Sequence, residues 1–86
     1  MGKYSKLRQT ILSGTSDANI EFLAMCQLLR RLGFEERVRG GHRIFTRANI
    51  VEILNIQAKG ASAKPYQVKQ VRAILVKCRL GETDVD

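Results

Sequence analysis

Residues 35–46 have the sequence EERVRGGHRIFT, and this stretch determines how the rest of the chain can be arranged. Two short strand-like segments flank the pair Gly40-Gly41. A Gly-Gly pair in this position is a strong signal for an antiparallel hairpin with a tight turn. We therefore predict strands over residues 35–39 and 42–46, followed by a turn over residues 47–49.

The segment after that turn is ambiguous. Ile50, Ile53 and Leu54 behind Asn49 would fit a short capped helix, whereas the β-branched residues between positions 50 and 57 favour a strand. Because an isolated hairpin needs a third strand to be stable, we predict a strand over residues 50–57.

Helices are predicted on both sides of the strands. Apolar residues recur at helical spacing over residues 3–12 and again over about residues 20–32, where Asn19 is the expected N-cap and Gly33 the expected left-handed stop. One face of the second helix carries Phe22, Met25, Cys26, Leu29 and Leu32. A last helix is expected to begin at Pro65, after a loop over residues 58–64. Its buried stripe is expected to contain Val68, Val71, Ile74, Leu75 and Cys78.

These elements define an α+β fold in a single domain over residues 1–86, with a core over about residues 19–78. In that core both helices can cover one face of an antiparallel three-stranded sheet. This is the arrangement of the double-stranded-RNA-binding domain, in which the other face of the sheet is open to solvent. The helix over residues 3–12 is an addition to the core, and the acidic tail, residues 81–86, is expected to fray.

The charge of the chain restricts its partners. Fifteen lysines and arginines against eight acidic residues give a formal net charge of +7, which favours a nucleic acid, a membrane surface or an acidic protein. No apolar run approaches the ~20 residues of a membrane-spanning helix, and the N-terminus lacks the apolar segment of a signal peptide. We therefore expect a cytoplasmic protein without a membrane partner.

The cysteines and the single histidine make a metal centre unexpected. Cys26 and Cys78 fall on apolar helical stripes, so we expect two buried, reduced thiols. One histidine and two separated cysteines do not make a ligand cluster. We expect neither a metal nor a cofactor.

His42 is the residue best suited to chemistry, because an imidazole exchanges protons close to neutral pH. It follows Gly40 and Gly41, which carry no side chains and let a polyanion approach the N–H groups of the turn. Arg39 and Arg43 flank this segment and can make bidentate hydrogen bonds to a phosphate.

A histidine beside an RNA phosphate can remove the proton of the ribose 2′-OH as that oxygen attacks phosphorus, or protonate the leaving 5′-oxygen. Enzymes of this kind usually use an acid and a base, and the chain has no second histidine. Tyr66 or Lys64 could serve only with help, because tyrosine and lysine hold their protons well above neutral pH. The residue types alone indicate an RNA-binding domain whose histidine is either a slow catalyst or a surface or packing residue.

Three segments resemble the HicA family of bacterial toxins: Leu32-Gly33-Phe34, GGHRIF at residues 40–45 and KPYQVKQV at residues 64–71. Members of that family have a helix ending in Leu-Gly-Phe and a hairpin with Gly-Ser-His before an aromatic-containing strand. A third strand and a last helix after a proline follow. The resemblance covers about residues 19–78, and the order and spacing of the motifs are more specific than any one of them.

The resemblance implies metal-independent cleavage of mRNA by one component of a toxin–antitoxin system, with inhibition by a HicB-type antitoxin. The family's catalytic histidine falls on His42, whereas Gly41 stands where the family has serine. The residues expected to bind RNA are Arg39, Gly40, Gly41, Arg43, Lys64, Tyr66 and Lys69. Two other functions stay open: a non-catalytic RNA-binding module, which the glycine at position 41 favours, and an adapter for an acidic protein.

Overall fold

The predicted hairpin is present. In the computed structural model, which describes residues 2–82 and residue 85, β1 (Glu35–Arg39) pairs antiparallel with β2 (His42–Arg47). β3 (Ile50–Ile56) pairs antiparallel with the other edge of β2, which makes β2 the central strand of a three-stranded sheet. Asn49 occupies the turn between β2 and β3 with a left-handed φ of 70°. The strand predicted over residues 50–57 is therefore confirmed.

Three α-helices lie in the described part of the chain: α1 (Lys3–Ser13), α2 (Phe22–Arg31) and α3 (Pro65–Lys77). Gly33 follows α2 with a φ of 92°, the left-handed conformation predicted for it. The N–H of Phe34 then donates to the carbonyl of Leu29 at 3.1 Å, which folds the chain back onto the last turn of the helix. None of the described helices combines the length and the hydrophobicity needed to cross a membrane.

The sheet has one face against the helices and one face against solvent. In β2 and β3 the side chains of Phe45, Leu54 and Ile56 are buried and join the apolar cluster of the helices. The intervening residues Val51 and Ile53 are 91% and 65% exposed. The chain is therefore an α+β protein with an antiparallel three-stranded sheet, and alternation along the strands divides its surface into a helix-facing side and an open side.

The second helix begins later than predicted. Asn19 is not an N-cap, because Asp17–Asn19 form a short 3₁₀ turn and Ile20 is extended. The first residue of α2 is Phe22, and its N-cap, Glu21, makes no capping hydrogen bond through its side chain.

The cause of this late start is a second, very small hairpin. The loop predicted over residues 58–64 contains β4 (Ala58–Lys59) and β5 (Ser62–Ala63). The N–H of Ala63 donates to the carbonyl of Ile20 at 2.8 Å, and the N–H of Phe22 donates to the carbonyl of Ala61 at 3.0 Å. These two bonds hold the segment before α2 in an extended conformation.

The C-terminal predictions need two corrections. Cys78 is half-buried rather than buried, because α3 ends at Lys77 and Cys78 is its C-cap. The expectation of a frayed tail is wrong for Val85, which is buried in the core together with Leu80. Of the rest of that tail, Gly81 is half-buried and Glu82 is exposed, both in a bend, whereas residues 83, 84 and 86 lie outside the described residues.

Candidate active site

The turn of the first hairpin is open at its tip. Arg39 and His42 are directly paired across it, and Gly40 has a left-handed φ of 57°. A Cβ placed on Gly40 would meet no atom within 4 Å, whereas one on Gly41 would lie 3.4 Å from Nε2 of Gln57. An anion can therefore approach the backbone of this turn closely on the Gly40 side.

His42 is exposed and is the first residue of β2. Its Nδ1 lies 3.0 Å from Oδ1 of Asn55 on β3. Because Asn55 is paired with Ile44, it lies diagonally across the strands from His42 on the open face. With Nδ1–H donating to the amide oxygen, Nε2 carries the lone pair of the ring and is the nitrogen that can accept a proton.

A polar network connects this end of β3 to the start of α3. Its centre is Gln67, which is only 2% exposed. The Oε1 of Gln67 accepts from the N–H of Gln57 at 3.1 Å, and its Nε2 lies 3.4 Å from both the carbonyl of Asn55 and the hydroxyl of Tyr66. The Nζ of Lys64 donates to Oε1 of Gln57 at 3.1 Å. The network thus holds both candidate partners of His42, Lys64 and Tyr66, at the end of the sheet where the histidine lies.

The arginines around the turn are on different sides of the sheet. Arg39 is exposed and, as the direct partner of His42, shares the open face with it. Arg43 is on the helix-facing side, where its Nη1 donates to Oε2 of Glu36 at 2.9 Å and its guanidinium lies over the ring of Phe22. Arg43 is therefore held on the helix-facing side by Glu36, and its contact with RNA stays a prediction.

Lys69 lies close enough to Asp17 to act on its carboxylate. It is exposed on α3, and its charge helps to lower the pKa of Asp17, which precedes α2. The main cause of that lowered pKa is the hydrogen bond from Arg72, whose two terminal nitrogens lie 2.8 and 3.1 Å from the carboxylate oxygens. Lys69 therefore lies on the surface around Asp17, and its contact with RNA stays a prediction.

The structure gives little support to a reactive cysteine or to a metal site. Burial raises the pKa of the Cys26 thiol, which keeps it protonated and unreactive. Among the described residues, no three histidine, cysteine or acidic side chains come together in a way that could hold a metal ion.

Three residues of the site were not predicted from the sequence: Asn55, Gln57 and Gln67. A signal exists for two of them. Asn55 interrupts a strongly apolar strand at a position that alternation places on the open face. Gln67 precedes Val71 and Ile74 at helical spacing, so the sequence puts its amide on the buried face of α3. A buried amide needs hydrogen-bond partners, which marks this position as part of a polar network.

Comparisons with known proteins leave the family of the chain open. No protein-family model matches it, and searches of curated proteins and of solved structures found no significant match.

Proposed function

We propose that this protein is an endoribonuclease of the HicA toxin type, with a fold like that of the double-stranded-RNA-binding domain and with His42 as its general acid or base. The observation that carries the proposal is the exposed imidazole of His42, whose Nδ1 is held by Asn55 beside an open Gly-Gly turn. This arrangement leaves Nε2 available for proton transfer next to backbone groups that can bind a phosphate.

The reaction is an internal displacement at phosphorus. Nε2 of His42 takes the proton of the ribose 2′-OH, the 2′-oxygen bonds to phosphorus, and the bond from phosphorus to the 5′-oxygen breaks. The leaving 5′-oxygen receives a proton from a second group, for which Lys64 and Tyr66 are the candidates. The products are a 2′,3′-cyclic phosphate and a 5′-hydroxyl, and the nucleophile is supplied by the RNA itself.

The surroundings of His42 suit a slow enzyme. The groups beside His42 that can bind a phosphate are the N–H groups of the turn and the guanidinium of Arg39. The guanidinium of Arg43 is paired with Glu36 on the helix-facing side of the sheet. Gly41 stands where the resembled family has serine, so no hydroxyl at this position can bind or orient the phosphate. The partners under this proposal are mRNA and an inhibitory antitoxin of HicB type, produced from an adjacent gene.

The experiment is cleavage of a long RNA by the purified protein, with detection of 2′,3′-cyclic phosphate ends. His42→Ala is expected to lower the rate about 10²–10⁴-fold, the usual contribution of a general acid or base. Because His42 is exposed, the variant should keep its far-UV circular dichroism and its unfolding midpoint. Equal cleavage by a folded His42→Ala protein would reject the proposal.

A second candidate is an RNA-binding module without catalysis. The glycine at position 41 favours it, because binding needs only the open turn and the basic surface. Binding of RNA by antitoxin-free protein, with no cyclic phosphate ends after long incubation, would support this second candidate. Salt-sensitive binding to an acidic protein but not to RNA would support an adapter instead.

A further inference from the structure

A pocket of about 440 Å³ opens beside the turn of the first hairpin. Most of its wall is apolar and comes from Phe22, Leu23, Val38, Ala58, Gly60 and Ala61. These residues belong to the start of α2 and to both hairpins, so the pocket lies between the two hairpin tips. Its volume falls in the ~300–1,000 Å³ range of pockets that bind small molecules, and it can accept a planar base.

Small residues keep this pocket open. Gly40 and Gly60, one at the tip of each hairpin, both have a left-handed φ, 57° and 62°. A Cβ on either of them would meet no atom within 4 Å, so each tip borders free space. A ligand can therefore enter between the tips without displacing a side chain from either turn.

The pocket reaches the turn that carries the imidazole, because Gly40, Gly41 and His42 belong to its lining. Val38 and Arg43 are paired across β1 and β2 and line the pocket on the helix-facing side. Arg39 and His42 are the next pair and face the open side. An RNA strand that crosses the turn can thus place one base in the pocket while its phosphate contacts the turn and the neighbouring ribose faces His42.

The polar groups of the pocket favour one base. Arg43 is held by Glu36 at 2.9 Å, whereas Glu21 takes part in none of the ion pairs formed by residues 2–82 and 85. The two oxygens of a carboxylate can accept from two adjacent donors, and guanine alone among the four RNA bases presents such a pair, N1–H and N2–H.

We propose that this pocket binds the base beside the cleaved phosphate and that Glu21 selects guanine there. The role in selecting a cleavage site rests on the proposed ribonuclease function. Base binding itself needs no cleavage and can be measured separately.

The first test is an NMR titration of the unmodified protein with each of the four ribonucleoside 5′-monophosphates. GMP is expected to bind most tightly and to shift amide signals of residues around the pocket, such as Phe22, Val38 and Ala61. Glu21→Gln is expected to weaken GMP binding about tenfold, since a hydrogen bond to a charged group is lost, and to leave AMP binding unchanged. Glu82→Gln is the matched control, because it removes the same charge from an exposed position outside the pocket lining.

A second variant tests the cavity rather than the carboxylate. Ala61 is exposed and lines the pocket, so Ala61→Phe should fill it and weaken binding of all four nucleotides while the protein stays folded. Equal affinities for the four nucleotides, shifts confined to residues away from the pocket, or no effect of either variant would overturn the proposal.

Cleavage assays separate this inference from the proposed function. If GMP binds through Glu21 but RNA is never cut, the pocket stands and the ribonuclease proposal fails. If RNA is cut through His42 with no preference for guanine beside the cut, and Glu21→Gln leaves the cut sites unchanged, the ribonuclease proposal stands and the pocket assignment fails.

Discussion

The two faces of the sheet are made by the same strands, yet they differ in almost every physical property. On the helix-facing side Phe45, Leu54 and Ile56 are buried, and Arg43 is paired with Glu36. On the open side Val51 and Ile53 are exposed, and the polar residues at the end near the first turn include His42 and Asn55.

This difference shows how a small domain can separate the residues that stabilise its core from those that can meet a ligand. Neighbouring residues in a strand point to opposite faces, so one residue can secure the core while the next meets solvent or a ligand. Substitutions at adjacent positions should therefore have effects of different kinds as well as different sizes.

The largest expected effect comes from adjacent residues of β3. Leu54→Ala removes a buried side chain and is expected to lower the free energy of unfolding by about 2–5 kcal/mol, enough to unfold much of a domain this small. Ile53→Ala is the matched control and should cost about 1 kcal/mol or less, since Ile53 is mostly exposed. Urea denaturation followed by circular dichroism measures both. Similar losses from the two variants would contradict the division of the sheet into two faces.

The next largest effect is a loss of RNA cleavage without a loss of stability, and it comes from Asn55 on the open side of the sheet. Asn55→Ala removes the hydrogen bond to Nδ1 of His42 and is expected to lower kcat/KM for RNA about tenfold, equivalent to ~1.4 kcal/mol, with little change in stability. Asn55→Asp should instead restore the contact and favour the charged imidazole, which moves the rising limb of the pH–rate profile to higher pH. A merely structural role for Asn55 would lower the rate without moving that limb, so the complete pH profile is the measurement that decides.

Much of the fold could be predicted because its signals are local. The Gly-Gly pair fixes the first hairpin, and helical spacing locates all three helices. The second hairpin could not be predicted, because its strands are too short to show alternation and its main-chain bonds to Ile20 and Phe22 come from a distant segment. Those same bonds displaced the predicted start of α2.

The candidate site was predictable in its centre but not in its surroundings. His42 stands out as the single histidine of the chain. Its contact with Asn55 depends on the register between β2 and β3, which includes an irregularity between Phe45 and Arg47 that no local pattern reveals. Strand alternation alone could have predicted that Arg43 and His42 lie on different faces of the sheet, because adjacent strand residues point to opposite faces.

A smaller effect distinguishes the two arginines beside the turn. Arg39→Ala is expected to weaken RNA binding and to reduce the slope of log affinity against log salt by about 0.7, the loss of one phosphate contact with a single strand. Arg43→Ala is the matched control and should leave the slope unchanged while lowering stability, because Arg43 is paired with Glu36 and covers Phe22. Filter binding over a range of salt concentrations gives both slopes. A reduced slope for Arg43→Ala alone would mean that Arg43, rather than Arg39, contacts an RNA phosphate.

The smallest expected effect is a pH dependence confined to the helices. The hydrogen bonds from Arg72 hold the pKa of Asp17 below its ordinary value, so the folded protein binds this proton less readily than the unfolded chain does. The pair therefore stabilises the fold above the ordinary carboxyl pKa of ~3.9, and this stabilisation is lost as the pH falls through the lowered pKa. Asp17→Asn should be less stable than the unmodified protein at neutral pH, and the two should converge in acid. Glu35→Gln is the control, because Glu35 lies on the open side and belongs to none of the four ion pairs of residues 2–82 and 85. This variant should be as stable as the unmodified protein at neutral pH, so the two stabilities have no difference to lose in acid. A constant difference between Asp17→Asn and the unmodified protein from neutral to strongly acidic pH would mean that the hydrogen-bonding geometry of Asp17, rather than its charge, stabilises the helices.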